Sequence, residues 1–192
     1  MERIVDTVTI TLSQLTIIGD AILVGAGMVF LLGLVGVKFE VTEKITKLVW
    51  KHGLWLALFV ALLAMMGSLF FSEGAGFEPC KLCWFQRILM YPQVIILLLA
   101  ALRRDKKVAI YSLSLSLVGL VIALYHYYVQ VSGVEILPCS VVGYSVSCTK
   151  NFFLRYGYIT IVVMSATAFG LISMLMAIVL NEKEDNSQKS RD

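Results

Sequence analysis

Five apolar runs, Ile17–Val37, Leu54–Phe71, Cys83–Leu102, Val108–Val131 and Gly157–Leu180, alternate along the chain with short polar connections. A bilayer core of about 30 Å needs about 20 such residues in a helix, so each run reads as a membrane span. Within the runs, small residues recur at helical spacing. Ala21, Gly25, Gly33 and Gly36 mark the first, Ala57, Ala61, Ala64 and Ser68 the second, and Ala166, Gly170, Ser173 and Ala177 the fifth. Faces of this kind suit close helix–helix approach. In the fourth run Ser112, Ser116, Gly119, Ala123, His126 and Gln130 share one stripe, small toward one end and polar toward the other, which should face protein instead of lipid. Pro92 lies inside the third run and should kink it.

The connections carry their own patterns. Between Lys38 and His52, the residues Val41, Ile45, Leu48 and Val49 fall on one helical face, which reads as a short amphipathic helix on the membrane surface or a plain loop. Asp20, near one end of the first run, reads as an interfacial cap ahead of a buried functional carboxylate. Residues 181–192 are charged and lack apolar side chains, so a disordered tail is expected. The start has no positive n-region or small-residue cleavage site and should be retained.

Composition agrees with this pattern. A hydrophobic fraction of 59% with only 15% charged residues lies outside the range of soluble domains and describes an all-α integral membrane bundle. The net charge of +3 is too small to argue for nucleic acid; its distribution matters more. Eleven Lys and Arg fall on one side of the five-span topology and five on the other. By the positive-inside tendency the N-terminus is outside, the C-terminus is cytoplasmic, and Cys80, Cys83, Cys139 and Cys148 all lie on the extracytoplasmic face, where disulfides persist.

Those cysteines supply the candidate chemistry. Cys80 and Cys83 form a C-x-x-C at the mouth of the third span, with Arg87 one turn beyond Cys83 on the same helix face. A helix N-terminus favours thiolate, and a fixed guanidinium stabilises a thiolate or an oxygen anion beside it. Cys139 and Cys148 lie in the loop between the fourth and fifth spans, placed to meet a soluble partner. Three pairings of four cysteines are possible on paper. Two thiol pairs on one face suggest a relay by disulfide exchange, with a lipid-soluble two-electron acceptor, a quinone, at the membrane end. The competing readings are a static disulfide staple and a four-cysteine zinc site. The second pair lacks knuckle spacing and no histidine lies near it in the loops, so no metal is expected.

The run Cys80-Lys81-Leu82-Cys83-Trp84-Phe85-Gln86-Arg87, with the second pair downstream, resembles the C-x-x-C-x-x-x-R signature of the DsbB/BdbC-type thiol–quinone oxidoreductases. The resemblance covers roughly His52 to Leu180. It implies a DsbB-like four-helix redox domain at 53–180, preceded at 1–52 by an extra transmembrane helix and a cytoplasmic connection, and followed by the tail. It implies that Cys80 and Cys83 are reoxidised by quinone (ubiquinone or menaquinone) with Cys83 the donor. Arg87, Gln86 and His126 would hold the quinone, and Cys139 and Cys148 would oxidise an extracytoplasmic thioredoxin-fold dithiol oxidase of the DsbA/BdbD kind. The protein would sit in the cytoplasmic (inner) membrane, between lipid, the quinone pool and that partner. Gln86 stands where the family also has an acidic residue, and the first span is outside the four-helix core. A vitamin K epoxide reductase-like enzyme and a non-enzymatic scaffold stapled by disulfides are the rival readings.

Overall fold

The computed structural model describes residues 2–34, 40–134 and 147–188. Five long helices account for most of them: α1 (Glu2–Leu34), α2 (Glu40–Leu69), α3 (Lys81–Arg103), α4 (Ala109–Ser132) and α5 (Ile161–Gln188). All five are long and apolar enough to cross a membrane. Helices are the expected solution there, because a lipid-facing backbone must satisfy its own N–H and C=O groups.

α2, α3, α4 and α5 close a ring in which each helix packs on two neighbours, while α1 lies outside the ring along α5. The ring's interior is built from small and large side chains in alternation. Ala57 and Ala61 of α2, Leu97 of α3, Ala109 and Ala123 of α4, and Phe169, Ile172, Met176 and Val179 of α5 are all buried. Gly119 admits the Phe169 ring against the α4 backbone; a Cβ there would overlap it. The α4 stripe faces protein as expected, with Ser112, Ser116, Ala123 and His126 buried. Gln93 of α3 answers its polar part: the Ser112 and Ser116 hydroxyls both donate to Gln93 Oε1, at 2.8 and 2.9 Å. Gln93 Nε2 in turn donates to the Leu89 carbonyl. Buried polar groups satisfied in this way lock α3 to α4 in one register.

Several expectations change. The segment 40–52 belongs to α2, which runs unbroken from Glu40 into the membrane, so there is no separate surface helix among the described residues. The helix formers Glu, Lys and Leu in it continue the spanning pattern without a breaker. α5 likewise continues past Leu180 to Gln188 through a stretch rich in Glu and Lys, where disorder was expected.

α1 starts at Glu2, well before Ile17, and docks through a face not read from the sequence. Ala21 and Gly25 are exposed. Among the described side chains of α1, the buried positions are Thr9, Ser13, Thr16 and Gly19. The hydroxyls of Thr9, Ser13 and Thr16 donate to the carbonyls four residues back, which makes them compact and polar-satisfied inside a helix. Asp20 lies inside α1, and its carboxylate is taken up by other parts of the protein. It accepts hydrogen bonds from Thr167 of α5 (2.6 Å) and Tyr158 (3.1 Å), pairing a carboxylate that would otherwise be costly within a span.

Candidate functional site

The site starts where α3 starts. Cys80 is the N-cap, with extended backbone, and its sulfur accepts the Cys83 N–H at 3.4 Å. Its carbonyl takes the Trp84 N–H, the first turn of the helix. One turn then brings the two sulfurs to 3.1 Å, and both are free thiols. The hydrogen bond from the Cys83 thiol holds Cys80 well below the ordinary thiol range; burial opposes this, and His126 adds to it.

On one side of the pair lies a polar, closed environment. His126 of α4 is buried, and Gln86, one turn into α3, places its amide nitrogen 3.1 Å from Nδ1. With that amide donating to Nδ1, the imidazole carries its proton on Nε2. Nε2 lies 3.2 Å from the Cys148 carbonyl and 3.6 Å from the Cys80 sulfur. The Sγ atoms of Cys80 and Cys148 and a ring nitrogen of His126 fall within 4.8 Å of one another. Such a triad has metal-ligand composition, but Cys148 is disulfide-bonded, so its sulfur is not available as a thiolate ligand. The close approach instead suits thiol–disulfide exchange.

On the other side, Cys83 opens into a cavity of about 360 Å³. Its polar end is made by Cys83, Gln86, Arg87 and Ser68, and the remaining walls are largely apolar. Arg87 is held rather than free: Nε donates to the Ser68 hydroxyl (2.9 Å) and Nη2 to the Ser68 carbonyl (3.1 Å). Tyr91 also donates to that hydroxyl, and the guanidinium lies over the Trp84 ring at 5.4 Å. Ser68 stands just before α2 widens into a π-helical turn, Phe70–Gly74, a distortion common at functional sites. Beside it, Phe77 stacks on Phe152 at 4.7 Å, joining the segment before α3 to the segment before α5 at the cavity.

Cys80, Cys83, Gln86, Arg87, His126 and Cys148 are therefore gathered at one end of the bundle, whereas Cys139 lies outside the described residues. His126 was expected beside the quinone with Arg87; it contacts Cys80 and does not line the cavity. Gln86 does both, touching the cavity and His126. Ser68, the anchor of Arg87, read as one of several small packing residues, and nothing in its spacing from Arg87 signals the contact.

The family described as disulfide bond formation protein DsbB matches residues 51–180. Among curated proteins, the probable disulfide formation protein C of Halalkalibacterium halodurans is 44% identical over 131 residues, covering 68% of this chain and 93% of that protein. The disulfide bond formation protein C of Bacillus subtilis is 42% identical over 143 residues, covering 72% and 98%. No solved structure matches the chain. With a dithiol at the head of α3 and five apolar helices to carry it, the chain belongs to the DsbB family of disulfide bond formation proteins, as a multi-pass membrane oxidoreductase.

Proposed function

We propose that the chain is a thiol–quinone oxidoreductase of the cytoplasmic membrane that reoxidises an extracytoplasmic thioredoxin-fold dithiol oxidase. Residues 53–180 form its redox domain, and the end of the bundle bearing the cysteines faces outward. One observation carries this reading. The Cys80/Cys83 pair stands between the sulfur of Cys148 and an apolar cavity, with a different cysteine turned to each.

The relay balances as follows. A partner dithiol reduces a Cys139–Cys148 disulfide and becomes a disulfide itself. The Cys148 thiolate then attacks Cys80 of an oxidised Cys80–Cys83 pair, forming a Cys80–Cys148 mixed disulfide and releasing Cys83 as thiolate toward the cavity. The Cys139 thiolate attacks Cys148, restoring the outer disulfide and releasing Cys80. The Nε2–H of His126, oriented by Gln86, stabilises negative charge on Cys80 when it leaves. Arg87, fixed by Ser68, presents a permanent cation at the polar end of the cavity, suited to a carbonyl oxygen gaining charge. The cavity fits an amphipathic ring with an apolar tail, and a quinone bound there would supply the terminal oxidant, taking two electrons and two protons as the Cys80–Cys83 disulfide re-forms.

A scaffold stapled by two structural disulfides gives no role to the approach of Cys80, His126 and Cys148 or to the apolar cavity at Cys83. The deciding experiment uses purified protein with dithiol as donor and follows quinone absorbance. Cys83→Ser should abolish turnover, and Cys139→Ser should retain part of the turnover with a small dithiol while losing it with a thioredoxin-fold donor. Undiminished turnover of both variants would defeat the relay.

A further inference from the structure

α1 lies outside the residues that the family match covers, yet it borders the cavity that opens at Cys83. Two adjacent stripes of this helix do different work. Ser13, Thr16, Gly19 and Asp20 meet the rest of the protein, and a Cβ at Gly19 would run into Thr167 and Leu171 of α5, so the two backbones approach closely. Asp20 pins that contact through Thr167 and Tyr158, and Asp6 forms a 2.8 Å ion pair with Arg155 at the end bearing the cysteines. The neighbouring stripe, Leu12, Leu15, Ile18 and Ile22, lines the cavity opposite Phe59 and Leu63 of α2. α1 packs along α5 while the cavity lies between it and α2; Leu12 comes close at Gly67, one residue before the anchor of Arg87.

The cavity thus has a polarity gradient. One end offers a guanidinium, an amide, a hydroxyl, a thiol and the Glu78 carboxylate, whereas the α1 wall is mainly branched aliphatic, its one hydroxyl, on Thr16, being spent on the Leu12 carbonyl. An occupant matching both ends has a polar redox head and a long branched apolar tail. We propose that α1 is the tail-binding wall of the oxidant site, its Leu12–Leu15–Ile18–Ile22 stripe selecting quinones by the length and bulk of their isoprenoid chain. This rests on the quinone reading above and adds a role for a helix that the four-helix core does not include.

The test uses the whole 192-residue chain in detergent. A quinone bearing a photoreactive group on its isoprenoid tail should label α1 between residues 12 and 22 of the wild-type protein, as located by peptide mass spectrometry. Labelling confined to α2–α5, or labelling of α1 that phosphatidylglycerol displaces as readily as unlabelled long-tail quinone does, overturns the proposal. Binding is then compared for a long-tail quinone and its tail-less head. In Leu15→Trp and Ile18→Trp the ratio of the two affinities should shift against the long tail by about tenfold. Val24→Trp, on an exposed part of the same helix away from the cavity, should leave that ratio unchanged. A ratio equal in all three variants and wild type removes α1 from the site while leaving the thiol–quinone reading standing. Failure of the wild type to bind either quinone removes both.

Discussion

The two sulfurs at the head of α3 are 3.1 Å apart and face different surroundings. Cys80 is buried among His126, the Cys148 carbonyl and the Cys148 sulfur, in a cluster with Leu82 and Val129. Cys83 is half-buried and opens on a cavity whose far wall, α1, touches α2 only lightly. A dry, fully bonded side favours one defined exchange partner; a side with room and one fixed cation favours a diffusing small molecule. The difference teaches that a C-x-x-C acquires two unlike faces through what packs against each sulfur, since the spacing alone is shared with a static disulfide.

The contrast can be broken first at Arg87. Arg87→Lys keeps the charge but loses the forked hold on Ser68. kcat/KM for quinone should fall by about tenfold to about a hundredfold, while thiol exchange with the partner, followed by trapping of mixed disulfides, continues. An unchanged kcat/KM would reduce Arg87 to a structural tie between α2 and α3. The complementary change is His126→Phe on the Cys80 side. Because the hydrogen bonds to Cys80 favour its thiolate, that thiolate persists to lower pH than a free thiol's. Removing one of them should move the midpoint of Cys80 alkylation, read from rate against pH, upward. A midpoint that stays put would leave Cys83 as the sole source of the effect.

The smallest effects separate the packing of the ring interior from that of the cavity wall. Gly119→Ala forces a methyl into the buried Phe169 ring and should cost about 1–3 kcal/mol, read as a lower Tm in detergent. Gly67→Ala meets only the flexible end of Leu12 of α1, 3.2 Å away, and should cost about 0.5 kcal/mol or less. Equal losses would mean that the wall between α1 and α2 is packed as firmly as the interior of the ring.

Much of this was legible in the sequence because it is local. The spans, the α4 stripe from Ser112 to His126, and Arg87 one turn beyond Cys83 all follow from helical periodicity. What escaped depends on contacts far apart in the chain. Nothing near His126 announces that its ring meets a sulfur 46 residues earlier, and nothing near Asp20 announces hydroxyls 138 and 147 residues later. α1 was read short because Thr7, Thr9, Thr11, Ser13 and Thr16 look polar, although each donates to a carbonyl of its own helix and so presents an inert surface. The small residues Ala21 and Gly25 drew attention to a face that turns outward.

The capping position of Cys80 has a mechanical side. Its backbone is extended and continuous with the segment 75–79, whereas Cys83 is carried within the first turn of a rigid rod. Under the proposed relay, a protein seated on that segment would act on Cys80 through its backbone, whereas Cys83 would follow only the helix that carries it.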